Sequence, residues 1–188
     1  MHRKSLVFKS ILFTLVAVLC AFTQANAQCK PQGDQHPPLS PAAVASTSLN
    51  GKTLSVYYCA PSMRGRKIMG ALVPYGKVWR TGANTATTIH TQANLRIGGK
   101  DVPAGAYSLY TLPSAQTWTL IINKQVGQWG LTYHENQDLA RIPMMRGPTP
   151  AAPVQKFKIV FEHTHGNHTQ LHLIWEKTDV YVPITATN

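Results

Sequence analysis

The chain of 188 residues is long enough for one domain with a real core and shows neither an internal repeat nor a second domain. It carries 18 Lys and Arg against 7 Asp and Glu, a formal net charge of +11. Such a balance speaks to association with anions and not to a fold. In an intracellular chain it would suggest nucleic acid, a partner that the N-terminus argues against.

Residues 1–27 read as a secretory signal peptide. Arg3, Lys4 and Lys9 make a basic start, Ile11 to Phe22 is apolar, and Ala25-Asn26-Ala27 supplies small residues for cleavage. The apolar run is too short to span a bilayer comfortably, and Gln28 is bulkier than a lipidation signal at Cys29 takes. The expectation is an exported protein, periplasmic or secreted, with no integral membrane segment after cleavage. Cleavage leaves 161 residues and a net charge of +8. Outside the cytoplasm that charge suits anionic glycans, lipids or phosphate, and no nucleic-acid partner is expected. A basic surface without a specific anionic ligand is the plainer alternative.

Residues 28–40, with Pro31, Gly33, Pro37 and Pro38, read as an extended flexible leader. Cys29 and Cys59 remain after cleavage, an even pair in an oxidising compartment. Two outcomes stand open: a disulfide tying the leader to the core, or a buried thiol at Cys59 and a separate thiol on the leader.

From residue 41 to 188 the pattern is strand after strand. Val44–Leu49 and Thr53–Tyr58 flank Asn50-Gly51, a strong hairpin signal. Thr85–Gln92 is rich in Thr, and Asn94–Ile97 leads into a Gly98-Gly99 turn. Ala106–Leu112 alternates, Trp118–Asn123 is an apolar strand, and Leu139–Met145 is a strand that Pro143 places at an edge. Phe157, Ile159 and Phe161 alternate with Lys158, Val160 and Glu162; Leu171, Leu173 and Trp175 alternate with His172 and Ile174 beyond a Gly166-Asn167 turn. Thr178–Ile184 ends the series. No amphipathic helix is evident. The expected fold is a single all-β domain, an antiparallel β-sandwich or flattened barrel with one long Gly/Arg-rich loop.

That loop, Pro61 to Asn84, holds Arg64, Arg66, Lys67, Lys77 and Arg80, and no acid occurs between Asp34 and Asp101. Guanidinium forks suit phosphate, sulfate and carboxylate. Trp79 offers a wall for a sugar face, and Asn84 offers a donor and an acceptor. Arg64, Arg66, Lys67, Lys77, Trp79, Arg80 and Asn84 are therefore the candidate ligand-binding residues. The structural alternative has Arg80 bonding loop carbonyls, Trp79 plugging one end of the sandwich and Asn84 capping a turn.

His163, His165 and His168, with His172 beyond, are a weak metal candidate: the spacing brings imidazoles to one side of a hairpin tip, but it equally describes a polar loop. His90 and His134 stand alone, and Glu135 and Asp138 near Arg141 read as loop ion pairs. Trp118 and Trp175 read as core. No nucleotide-type phosphate loop is present and no cofactor is expected.

The runs Tyr58–Ile68 and Val78–Thr87 resemble two motifs of the bacterial domain of unknown function 2911. The likeness continues through Ile97–Lys100, Pro103–Leu109, Trp118–Lys124, Trp129-Gly130, Trp175–Thr178 and Val182–Ile184, and so covers nearly all of the chain from Leu39. The family is largely exported, and the resemblance implies no activity and no catalytic residues. Two departures stand out. Cys59-Ala60 occupies the place of a family Ser-Arg, and Thr85 that of a family Glu, so an acid/base role at that position is not expected here. The leading reading is an exported binding module for an anionic or carbohydrate envelope ligand. The alternatives are a hydrolase-like enzyme in which Arg80 and Asn84 stabilise negative charge, and a purely structural envelope protein.

Overall fold

The computed structural model of the chain describes Cys29 and residues 39–187. Residues 1–27, expected to be a signal peptide, and nearly all of the expected leader lie outside the described residues. Strand β1 (Ala42–Leu49) and strand β2 (Lys52–Cys59) form a hairpin with full register from Ala42–Cys59 to Leu49–Lys52. Its turn needs two residues in left-handed conformation, and Asn50 and Gly51 supply them at φ +50° and +77°. Seven of the remaining strands fall where the sequence places strands: β3 (Thr87–Thr91), β4 (Asn94–Ile97), β6 (Gly105–Pro113), β7 (Trp118–Asn123), β8 (Asp138–Arg146), β9 (Val154–His165) and β10 (His168–Glu176). β11 (Thr178–Thr187) runs three residues past the expected end. The short β5 (Lys100–Val102), which pairs with β4 across Gly98-Gly99, was not legible as a strand. Among the described residues the helical content is one three-residue 3-10 turn, Glu135–Gln137. None of their helices is long and apolar enough to cross a membrane.

All pairings between named strands are antiparallel, in the order β1-β2-β3-β6-β7-β8-β11-β10-β9, with β4 and β5 added on β11. β8 serves both layers. Its first part pairs with β7, and its end, Met145 and Arg146, pairs with Tyr181 and Val180 of β11. Pro143 sits opposite Thr119 where only β7 flanks β8, so the missing N–H disrupts no second ladder. The sheet nearly closes on itself. Beyond β2 the chain bonds to the start of β9, Met63 N–H donating to Gln155 O (2.8 Å) and Phe157 N–H to Pro61 O (2.9 Å). At the other end Asn50 N–H donates to Gly166 O (3.1 Å). The result is a flattened barrel.

The inner faces fill with Leu54, Val56, Ile89, Leu109, Leu120, Ile122, Ile142, Ile159, Leu173 and Val182, all essentially buried. Each such side chain is worth about 1.5–3 kcal/mol of transfer free energy, which is what fixes the alternating register. At one end of the barrel four aromatics meet. Trp79 stacks on Trp175 at 5.9 Å and meets Phe157 and Trp118 edge-on at 5.1 and 6.2 Å. This cluster forms the floor beneath the long crossover from β2 to β3.

Candidate functional site

The crossover, residues 61–84, is a shaped loop held by the barrel rim. Beyond the start of β3 the crossover takes its place beside β6: Trp79 N–H donates to Thr111 O (2.7 Å) and Thr111 N–H to Trp79 O (2.8 Å). Two residues later the β-branched Thr81 is held at φ +55°, an unfavourable conformation for that side chain. Its surroundings over-determine it. Thr81 is fully buried, its Oγ1 donates to Thr111 Oγ1 (3.3 Å), and its carbonyl accepts from Thr87 Oγ1 (2.7 Å). Gly82 is closely confined: a Cβ there would lie 3.0 Å from both Cys59 O and Thr87 Oγ1, tighter than ordinary contact. Arg64 and Asn84 also hold positive φ, +50° and +59°, so strained backbone gathers in this one segment.

The strained segment borders a cleft of about 260 Å³. Of the seven residues expected to bind a ligand, five line it: Arg64, Arg66, Trp79, Arg80 and Asn84. Lys67 and Lys77 are exposed and do not line it. The lining also includes Leu39, Leu72 and Trp175, none of which was a candidate from the sequence. Trp175 alternates as a core residue, and nothing local shows that it ends at the rim.

The lining residues include three arginines and no Asp, Glu or His. Arg64 Nη2 donates to Leu39 O. Arg66 donates through Nε to Met63 O (3.0 Å) and through Nη2 to Ser62 O (2.8 Å). Both side chains are thereby oriented by backbone carbonyls and not neutralised by carboxylates. Arg80 differs. Its aliphatic part passes Gly130, where a Cβ would come within 2.1 Å of Arg80 Cδ. Its Nε is buried and has no hydrogen-bond partner among the described residues. Burial pulls the Arg80 pKa below the usual guanidinium value, opposed by the nearby Tyr110 hydroxyl. The guanidinium remains cationic at neutral pH. The expectation that Arg80 bonds loop carbonyls is thus not met.

Trp79 and Asn84 each do part of what the structural alternative described. Trp79 plugs the barrel end, donating Nε1–H to Gly82 O (3.1 Å), yet it is half-buried and borders the cleft. Asn84 Nδ2 donates to Cys29 O (3.3 Å), which holds that residue at the rim. Cys29 and Cys59 form a disulfide, with Cα atoms 5.5 Å apart. Cys59 Sγ lies 4.0 Å from Thr85 Oγ1.

The histidine candidates do not assemble. His165 and His168 rings are 5.7 Å apart, His168 Nδ1 pairs with Thr185 Oγ1 (2.9 Å), and His163 is exposed with φ +51°. Among the described residues no group of three or more His, Cys, Asp or Glu is placed to hold a metal. The ion pairs expected around Arg141 form, but Asp138 and Arg141 lie on β8 and not in a loop. Arg141 Nε donates to Asp138 Oδ2 (2.9 Å) and Nη2 to Glu135 Oε1 (2.8 Å). Tyr133 OH donates to the same Asp138 Oδ2 (2.6 Å), and its pKa rises to about 12 through burial and that acceptor.

One buried pair was not legible at all. His172 Nδ1 lies 2.9 Å from Asp179 Oδ1, the ring stacks on Tyr181 at 4.8 Å, and Nε2 lies 3.1 Å from Gln170 Oε1. Cross-strand register alone puts these residues together on β10 and β11.

No curated protein and no solved structure shows significant similarity to the chain. One family model matches residues 40–184, the span that contains all eleven strands but for the end of β11, and carries the description protein of unknown function (DUF2911). The motif likeness, the shaped crossover built from those motifs and this match agree, and the chain belongs to the DUF2911 family.

Proposed function

We propose that the protein is an exported binding module that takes an anionic ligand in the cleft between the crossover and the start of β1. The observation that supports this reading is the charge of the lining: three arginines converge with no carboxylate among them. Like charges gathered this way repel one another, and an anion relieves that repulsion more strongly at a partly desolvated site than on open surface. Arg64 and Arg66 stand at the exposed rim with N–H groups beyond those spent on carbonyls, and Arg80 contributes a cation whose buried Nε has no partner among the described residues. Asn84 adds an amide and Trp79 an apolar wall. The hydrolase alternative gains no support here, because the lining holds no residue type suited to a general base.

The test is a thermal-shift screen of anions, inorganic phosphate, sulfate and galacturonate among them, against the wild type and Arg80→Ala. A ligand at 100 times its Kd raises stability by about 2.7 kcal/mol. The expected result is stabilisation that falls with added salt and is lost in Arg80→Ala and in the double variant Arg64→Ala/Arg66→Ala. Stabilisation that survives all of these substitutions places the ligand elsewhere and overturns the reading.

A further inference from the structure

We infer that the ligand of this cleft is a small amphiphilic anion, an oxyanion carried on a compact apolar body, in preference to a bare inorganic anion or a neutral sugar; this rests on the anion-binding reading above. The cleft is two-sided in chemistry. Its cations belong to Arg64, Arg66 and Arg80, while Leu39, Leu72 and Trp79 supply apolar surface to the same space. Leu39 and Leu72 are 49% and 44% exposed, and both belong to the lining. Exposed aliphatic side chains bordering a cationic cleft leave apolar area that a ligand body covers. Size agrees. At about 30 Å³ per water-sized group, a cleft of about 260 Å³ holds roughly nine such groups, and a bare oxyanion leaves about half of it unfilled. A neutral sugar meets the opposite difficulty: it leaves three guanidinium charges uncompensated. An oxyanion on a compact apolar body meets both halves of the lining, with a carboxylate or a phosphate monoester equally suited to the guanidinium forks.

Calorimetric titration of the intact, disulfide-bonded protein tests this with five probes: phenyl phosphate, phenylacetate, inorganic phosphate, acetate and benzyl alcohol. Phenyl phosphate is expected to bind about tenfold or more tightly than inorganic phosphate, and phenylacetate than acetate, as the covered apolar area dictates. Leu72→Ser, at an exposed position of the lining, is expected to weaken phenyl phosphate and phenylacetate more than inorganic phosphate and acetate, and so to shrink the advantage to a few-fold. Equal affinity for phenyl phosphate and inorganic phosphate, indifferent to Leu72→Ser, overturns the amphiphile and leaves the anion cleft standing. Benzyl alcohol binding as tightly as phenyl phosphate overturns both readings, and so does the absence of binding by every probe.

Discussion

The Cys29–Cys59 disulfide sets a stability that can be worked from the chain itself. It closes a loop with a sequence separation of 30 residues that contains all of β1 and β2. Opening it restores loop-closure entropy to the unfolded chain, which for this length amounts to about 3.6 kcal/mol at 25 °C on the chain-entropy model. A domain of this size loses about 2–4 °C of Tm per kcal/mol, so Cys29→Ser is expected to melt roughly 7–14 °C below the wild type. Cys29 is the better site for substitution. Cys59 is almost wholly buried beneath Gly82 and Ala83, where it remains as a small apolar thiol. The same substitution removes the covalent anchor of the residue whose carbonyl accepts from the Asn84 amide, and so loosens one side of the cleft. The assay is thermal unfolding followed by circular dichroism, with and without a phosphine reductant. Reductant is expected to bring the wild type down to the variant's Tm and to leave the variant unmoved. A Cys29→Ser Tm within about 2 °C of the wild type would refute the argument that this loop is what the bond constrains.

Two further substitutions probe polar groups that hold the barrel together. Gly147 faces Asp179 so closely that a Cβ would lie 2.5 Å from its carboxyl; Gly147→Ala is therefore expected to push Asp179 off His172 and cost about 2 kcal/mol or more, read as a lower urea midpoint, and an unchanged midpoint would show that the pair does not depend on this approach. Tyr133 has its pKa raised to about 12, so its stabilising effect is complete below the unfolded tyrosine value near 10 and is lost as pH climbs through about 12. Tyr133→Phe should accordingly flatten the loss of urea stability between pH 9 and pH 11.5, and identical slopes for the two proteins would sink that assignment.

All the strands but the short β5 could be read from the chain alone, because the physics that selects them is local. Alternation along Phe157–Glu162 and Leu171–Glu176 buries one face with period two, and turns such as Asn50-Gly51 and Gly98-Gly99 demand positive φ that few other pairs supply. The crossover was legible in the same way, its density of Gly, Pro and Arg fitting neither helix nor strand. Tertiary structure decided which of its residues share a cleft. Arg64, Arg66 and Arg80 line it while Lys67 and Lys77, equally basic and in the same loop, face elsewhere; Leu39 and Trp175 arrive from the start of the domain and from β10. The pairing of Cys29 with Cys59 and of His172 with Asp179 was decided there too. Such partners meet only once the barrel closes, since the register of one strand against another depends on how all the buried faces fit at once and not on any residue's neighbours in sequence.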